Sequence, residues 1–175
     1  NIGETLSKFL KNIIINSLEN IQLVRSERGN FLLIKRKSKD KELNYKDLEE
    51  LGGNIYNKIK STGCSEAKIY ESKVDINSKI ALGILLGSYK FENYKKEKSN
   101  EIIKFKKVTF ICGDPKKCLE VYKEIKSLAQ GVYSARNLVW QPPNILFPKS
   151  FAEECIKLKK IGVKVTVFNE NQLKK

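Results

Sequence analysis

Hydrophobic positions in this chain repeat at two spacings, helical and alternating, and the two kinds of segment take turns along it. Apolar residues at Leu6, Phe9, Leu10, Ile13 and Ile14 predict a helix over residues 5–18. The run NIQLVRSERGNFLLIKRK reads as two strands about a turn at Glu27-Arg28-Gly29-Asn30, a hairpin pattern. A charged loop over 35–42 follows. Asn44 is placed to cap a helix, Asp47 sits in its first turn, and Leu48, Leu51, Ile55 and Ile59 form its inward stripe. Gly63 ends it. Residues 67–70 make a short strand candidate, and residues 78–89 are apolar enough for a buried helix. Residues 91–100 form a basic exit punctuated by aromatics.

VTFIC, residues 108–112, predicts a central strand. Gly113-Asp114-Pro115 then turns the chain into a helix with proline near its first position. Leu119, Tyr122, Ile125, Leu128, Ala129, Val132, Tyr133 and Leu138 keep a helical spacing almost to Trp140, an unusually long helix suited to a spacer. It stops at Pro142-Pro143. Pro148 opens a further amphipathic helix, Gly162 closes it, and residues 163–168 alternate as a strand. Strands alternating with helices predict an α/β domain with a largely shared central sheet. The helix, Pro-Pro-Asn break, helix and strand between Gly131 and Leu173 read as a junction between two domains. The boundary falls within the long helix or at Pro142-Pro143.

Composition narrows the class. At 175 residues and 41% hydrophobic content the chain can form one cored domain plus part of another. No apolar run is long enough to span a bilayer, and the start NIGETLSKFLKNIII lacks the order of a secretory signal. A first residue of Asn implies sequence upstream. Cys64, Cys112, Cys118 and Cys155 form no C-x-x-C pair, so they read as small buried hydrophobes of a reducing cytosol rather than zinc or redox ligands. A packing centre at Cys112 is the expectation.

The net charge of +14 comes from 34 Lys+Arg against 20 Asp+Glu. Only Arg25, Arg28, Arg36 and Arg136 are arginines, and the lysines accompany abundant Ile and Asn. That composition is ascribed to coding bias ahead of selection for a nucleic-acid partner, since surface lysines alone give non-specific attraction.

Candidate chemistry is sparse. There is no histidine, which removes Ser-His-Asp and Cys-His nucleophiles and every His-containing metal site. Aspartate occurs only at Asp40, Asp47, Asp75 and Asp114, too few and too scattered for a two-metal centre. Gly113-Asp114-Pro115-Lys116-Lys117 lacks the glycines and Gly-Lys-Ser/Thr ending of a phosphate loop and reads as a strand-to-helix turn. Gly83 and Gly87, four apart on an apolar helix, read as permitting close helix–sheet packing. Tyr89-Lys90-Phe91-Glu92-Asn93-Tyr94-Lys95-Lys96 mixes base-stacking and phosphate-neutralising residues, yet reads better as a helix end with aromatics tucked in and lysines out. Glu153 and Glu154 point about 100° apart on a helix and suit its positive N-terminus better than a shared proton or metal.

Several of these segments together resemble the leucyl (cytosol) aminopeptidase family. Ala135-Arg136-Asn137-Leu138-Val139-Trp140-Gln141-Pro142-Pro143-Asn144 is similar to the family's interdomain Arg-Asp-Leu-Val-Asn-Glu-Pro-Pro-Asn. Pro148-Lys149-Ser150-Phe151-Ala152-Glu153-Glu154 and Gly162-Val163-Lys164-Val165 follow in register. Leu51-Gly52-Gly53 and the stretch from Leu85-Leu86-Gly87-Ser88-Tyr89 to Lys95 resemble its N-terminal domain. Trp140, Gln141 and Phe147 depart from the family's Asn, Glu and Thr or Tyr, and phenylalanine cannot cap a helix as threonine does.

The resemblance implies a macro-domain-like α/β domain over 1–130, an interdomain linker over 131–147 and the beginning of a catalytic domain over 148–175. It implies a cytoplasmic homohexamer that removes N-terminal residues from peptides with two divalent ions, manganese or zinc. The family's metal signature is absent from these 175 residues. No catalytic, cofactor-binding or metal-binding residue is therefore carried onto this chain, which is expected to be inactive alone. A nucleic-acid or ADP-ribose-binding module is the alternative.

Overall fold

The computed structural model describes residues 21–26, 29–34, 44–94 and 106–174. The helix expected over 5–18, the loop over 35–42 and most of the basic exit lie outside them.

Strands β1 (Ile21–Ser26) and β2 (Gly29–Ile34) form the expected hairpin, antiparallel from Ile21↔Ile34 to Ser26↔Gly29. Gly29 and Asn30, expected in the turn, already belong to β2. Helix α1 (Tyr45–Ser61) starts where the sequence indicates, with Asn44 Oδ1 accepting from Lys46 N at 3.2 Å. It ends at Thr62, whose hydroxyl donates to Ile59 O at 2.6 Å. Gly63 then takes φ +72°, a left-handed value that glycine adopts without strain.

Strand β3 (Glu66–Tyr70) pairs in parallel with β4 (Lys107–Ile111), in register from Glu66↔Lys107 to Tyr70↔Ile111. Helix α2 (Val74–Ser88) begins four residues before the apolar run suggested, and Ile76, Asn77, Ile80, Ala81, Leu82, Gly83 and Ile84 are buried along it. A single shared sheet does not form among the described residues: β1–β2 and β3–β4 are separate two-stranded sheets. Among the described strands β4 is accordingly not central. It has a partner on one side, and Lys107 and Ile111 are exposed.

The core lies between α1, α2 and the β3–β4 sheet. Leu48, Ile55, Tyr56, Ile59, Ile69, Ile76, Ile80 and Ile84 form it, with Leu32, Leu51, Ala67, Val108 and Phe110 at its margin. Ile55 is completely buried, a burial that stabilises by about 1.5–3 kcal/mol. The expected packing centre at Cys112 is therefore corrected: all four cysteines are only half-buried, while the spacing Leu48, Ile55, Ile59 fills the interior.

Helices α1 and α2 cross at Gly52 and Gly83. A Cβ on either would lie 3.0 Å from the other's Cα and collide with a backbone carbonyl, that of Ile80 or Glu49. The glycines thus serve close helix–helix packing, not the helix–sheet packing expected of Gly83.

Asp114 caps helix α3 (Pro115–Val139), its Oδ1 accepting from Lys117 N at 3.1 Å. This 25-residue helix matches the long spacing read in the sequence, and Ala129 is its one buried residue. Pro148 opens α4 (Pro148–Lys157), a 3₁₀ turn (Leu158–Ile161) extends it, and Gly162 at φ +89° closes it. Helix α5 (Glu170–Leu173) follows, closed by reciprocal bonds between Asn169 and Gln172.

The strand expected over 163–168 is absent. Alternation supplies a face, but a strand needs a neighbouring ladder, and none of the described strands lies beside it.

Candidate functional site

The two segments that most resembled one family in sequence meet in space. α2 ends at Ser88, and its last carbonyls would lack helical partners. α3 supplies them. Arg136 Nη1 donates to Leu86 O at 2.8 Å, and Tyr133 Oη donates to Leu85 O. Ser88 Oγ also donates to Leu85 O, at 2.7 Å, and lies 3.2 Å from Tyr133 Oη. A guanidinium at a helix C-terminus is further favoured by the negative end of the helix dipole.

Aromatic side chains extend this junction outward. Tyr89 Oη donates to Asn137 Oδ1 at 2.8 Å, its ring lies 5.2 Å from that of Tyr133, and the Arg136 guanidinium sits 5.3 Å over it. Phe91 stacks on Trp140 with ring centres 6.1 Å apart and planes 22° off parallel. Tyr94 Oη donates to Gln141 Oε1 at 2.5 Å, and Tyr94 has φ +68°. Trp140 and Gln141, two of the three departures from the family pattern, are thus both engaged by the segment after α2. Tyr89, Phe91 and Tyr94 are used as rivets between helix ends.

This junction was not evident from periodicity. Its signal in the sequence is Arg136, one of four arginines in a lysine-rich chain. Arginine's planar fork holds backbone carbonyls in a fixed direction, which lysine does not.

The other singled-out residues occupy ordinary positions. Gly113-Asp114-Pro115-Lys116-Lys117 is a strand-to-helix turn. Glu153 is exposed, and Glu154 pairs with Lys157 one turn along α4. Phe147 precedes α4 without a side-chain acceptor; Ser150 Oγ compensates by accepting from Phe147 N at 2.9 Å and bonding Ile145 O at 2.7 Å.

An open cavity of about 780 Å³ lies beside the β3–β4 sheet, with Tyr56, Ile84 and Phe110 on its apolar side and Lys60, Lys106 and Lys107 on its basic side. A smaller one of about 200 Å³ holds Asn77, Cys112 and Cys118. The Cys118 thiol is pushed up to about 11, first by burial and then by the hydrogen bond and charge of Cys112 and by Asp114; Asn77 opposes the shift.

Among the described residues no three His, Cys, Asp or Glu side chains converge. Two divalent ions need several carboxylates around a pair of sites, so these residues do not fit a dinuclear centre. Among them too, no helix is long and apolar enough to cross a membrane.

Comparison with known proteins gives consistent matches. Residues 38–98 match the cytosol aminopeptidase family, N-terminal domain. A probable cytosol aminopeptidase of Brucella ovis is 46% identical over 99 residues, covering 55% of this chain and 20% of that protein. A probable cytosol aminopeptidase of Rhizobium johnstonii is 33% identical over 141 residues, covering 77% of this chain and 28% of that protein.

The chain therefore spans between a fifth and a third of the length of such relatives. Among solved structures, a mutant tomato leucine aminopeptidase superposes with a TM-score of 0.72 over 98% of this chain and 36% of that one, at 21% identity. The bottromycin maturation enzyme BotP, in complex with Mn, gives 0.66 over 88% of this chain and 33% of that one, at 15% identity. At such identities these two establish a shared mixed α/β fold.

Proposed function

We propose, from the match of residues 38–98 to the N-terminal domain of the cytosol aminopeptidase family, that this chain is the non-catalytic portion of a leucyl aminopeptidase acting on peptides in the cytoplasm. The observation that carries this reading is the junction described above. Arg136, Asn137, Trp140 and Gln141, from the interdomain-like segment, hold the end of α2 through Leu86 O, Tyr89, Phe91 and Tyr94.

In this reading residues 1–130 form a macro-domain-like unit, 131–147 the linker and 148–175 the beginning of the catalytic domain. The α3 helix sets the direction in which that second domain departs. The role of these residues is structural: they shape access to a catalytic centre and support assembly, as a homohexamer in the complete enzyme. The two divalent ions, manganese or zinc, belong to the complete enzyme and would activate water for attack on the peptide carbonyl.

The test is a pair of assays. The 175-residue chain is expected to leave leucine p-nitroanilide intact in the presence of Mn²⁺, whereas the polypeptide extended to the length of its relatives hydrolyses it. Metal-dependent turnover by the 175 residues alone overturns the assignment.

A further inference from the structure

The smaller cavity contains a pair of thiols that the reading above leaves without a role. β4 ends at Ile111 and α3 begins at Pro115, so Cys112 and Cys118 stand on either side of the Gly113-Asp114-Pro115 turn. Both line the cavity of about 200 Å³ together with Val74, Asn77, Phe110 and Leu119. Cys112 lies close enough to raise the titration of Cys118. Each is half-buried, held in place yet within reach of a small reagent.

Asn77 adds a polar wall. It is 4% exposed, its Nδ2 donates to Glu71 O at 2.6 Å, and its Oδ1 has no partner. Cys64 and Cys155 do not line the cavity.

We propose that Cys112 and Cys118 form a reversible intramolecular disulfide by exchange with a low-molecular-weight disulfide. In the first step the Cys112 thiolate attacks one sulfur of the reagent; the reagent's S–S bond breaks and one half leaves as a thiolate. In the second, Cys118 gives up its proton and attacks the Cys112 sulfur, expelling the other half. Two protein thiols are oxidised by two electrons, and one reagent disulfide is reduced to two thiols. Burial and the Cys112 neighbour hold the proton on Cys118, so closure by Cys118 is the slow step. The bond would fasten the end of β4 to the first turn of α3. This inference is independent of the assigned activity.

The experiment exposes the folded 175-residue chain to oxidised glutathione over a range of alkaline pH, alkylates the remaining thiols and maps peptides by mass. The expected product has lost two hydrogens, links Cys112 to Cys118, leaves Cys64 and Cys155 alkylated, and reverts with dithiothreitol. Its closure rate rises roughly tenfold per pH unit below the Cys118 titration. C118S should accumulate a stable glutathione adduct on Cys112. Mapping of the wild-type chain stands alone if that variant does not fold. A link through Cys64 or Cys155, an adduct on Cys112 that persists in the wild type through the alkaline range, or unreacted Cys112 and Cys118 each overturns the proposal.

Discussion

Tyr89 Oη lies 2.8 Å from Asn137 Oδ1, a hydrogen bond across 48 residues of sequence that ties the turn after α2 to the last turns of α3. With the Arg136 bond to Leu86 O beside it, it holds two helix ends in one orientation.

Separating the pair measures that hold. Y89F and N137A should each destabilise, and a double-mutant cycle in urea should return a coupling of about 0.5–1.5 kcal/mol. R136K should cost more than either, because the guanidinium serves both a carbonyl and the Tyr89 ring. Additive single effects would remove the direct bond from the account.

The glycines divide into two kinds. G83A and G52A place a methyl against backbone that cannot move aside, so each should destabilise by about 1–3 kcal/mol or more. G131A, in the middle of α3 with nothing within 4 Å of its Cβ position, should stabilise by about 0.5–1 kcal/mol. Thermal unfolding of the three variants decides it; equal signs would refute the crossing geometry.

Cys118 gives stability a pH dependence above neutrality when the thiols are reduced. Its folded titration, pushed up to about 11, lies above that of an unfolded cysteine near 9.0. The native state therefore holds more protons between these values, and stability falls as pH rises through that window. The contribution is fully present below the lower value. Urea midpoints of C118A should fall less steeply there than those of the wild type.

The charge of +14 should bind DNA without reading it. Anisotropy of labelled duplexes is expected to show affinity that falls linearly on a logarithmic salt scale and does not vary with sequence. Sequence-dependent affinity that survives high salt would instead favour a binding module.

The local punctuation of the fold was legible in the residues. Asn44, Gly63, Asp114, Pro148 and Gly162 each act within one turn of themselves, and each stands where the structure uses it. Residues whose outcome depends on a distant partner were read less well. Gly83 was seen to allow close approach, but its neighbour proved to be α1. Alternation over 163–168 described a strand in isolation, and strand formation is a property of pairs. VTFIC looked central because it is apolar, whereas centrality depends on how many strands flank it. At the helix junction the family-like motifs were recognised separately, and nothing in their spacing told that Trp140 would stack on Phe91.

One feature of the carboxy-terminal fifth sets how the chain behaves in a tube. From Val139 onward no side chain of the described residues is buried, and Trp140, Ile161, Phe168 and Leu173 are more than half exposed. Mutual repulsion of like-charged molecules is expected to keep oily surface of this extent dispersed. Adding electrolyte weakens that repulsion while leaving the oil untouched, so colloidal stability should decline with rising ionic strength, and clouding should begin sooner in concentrated samples.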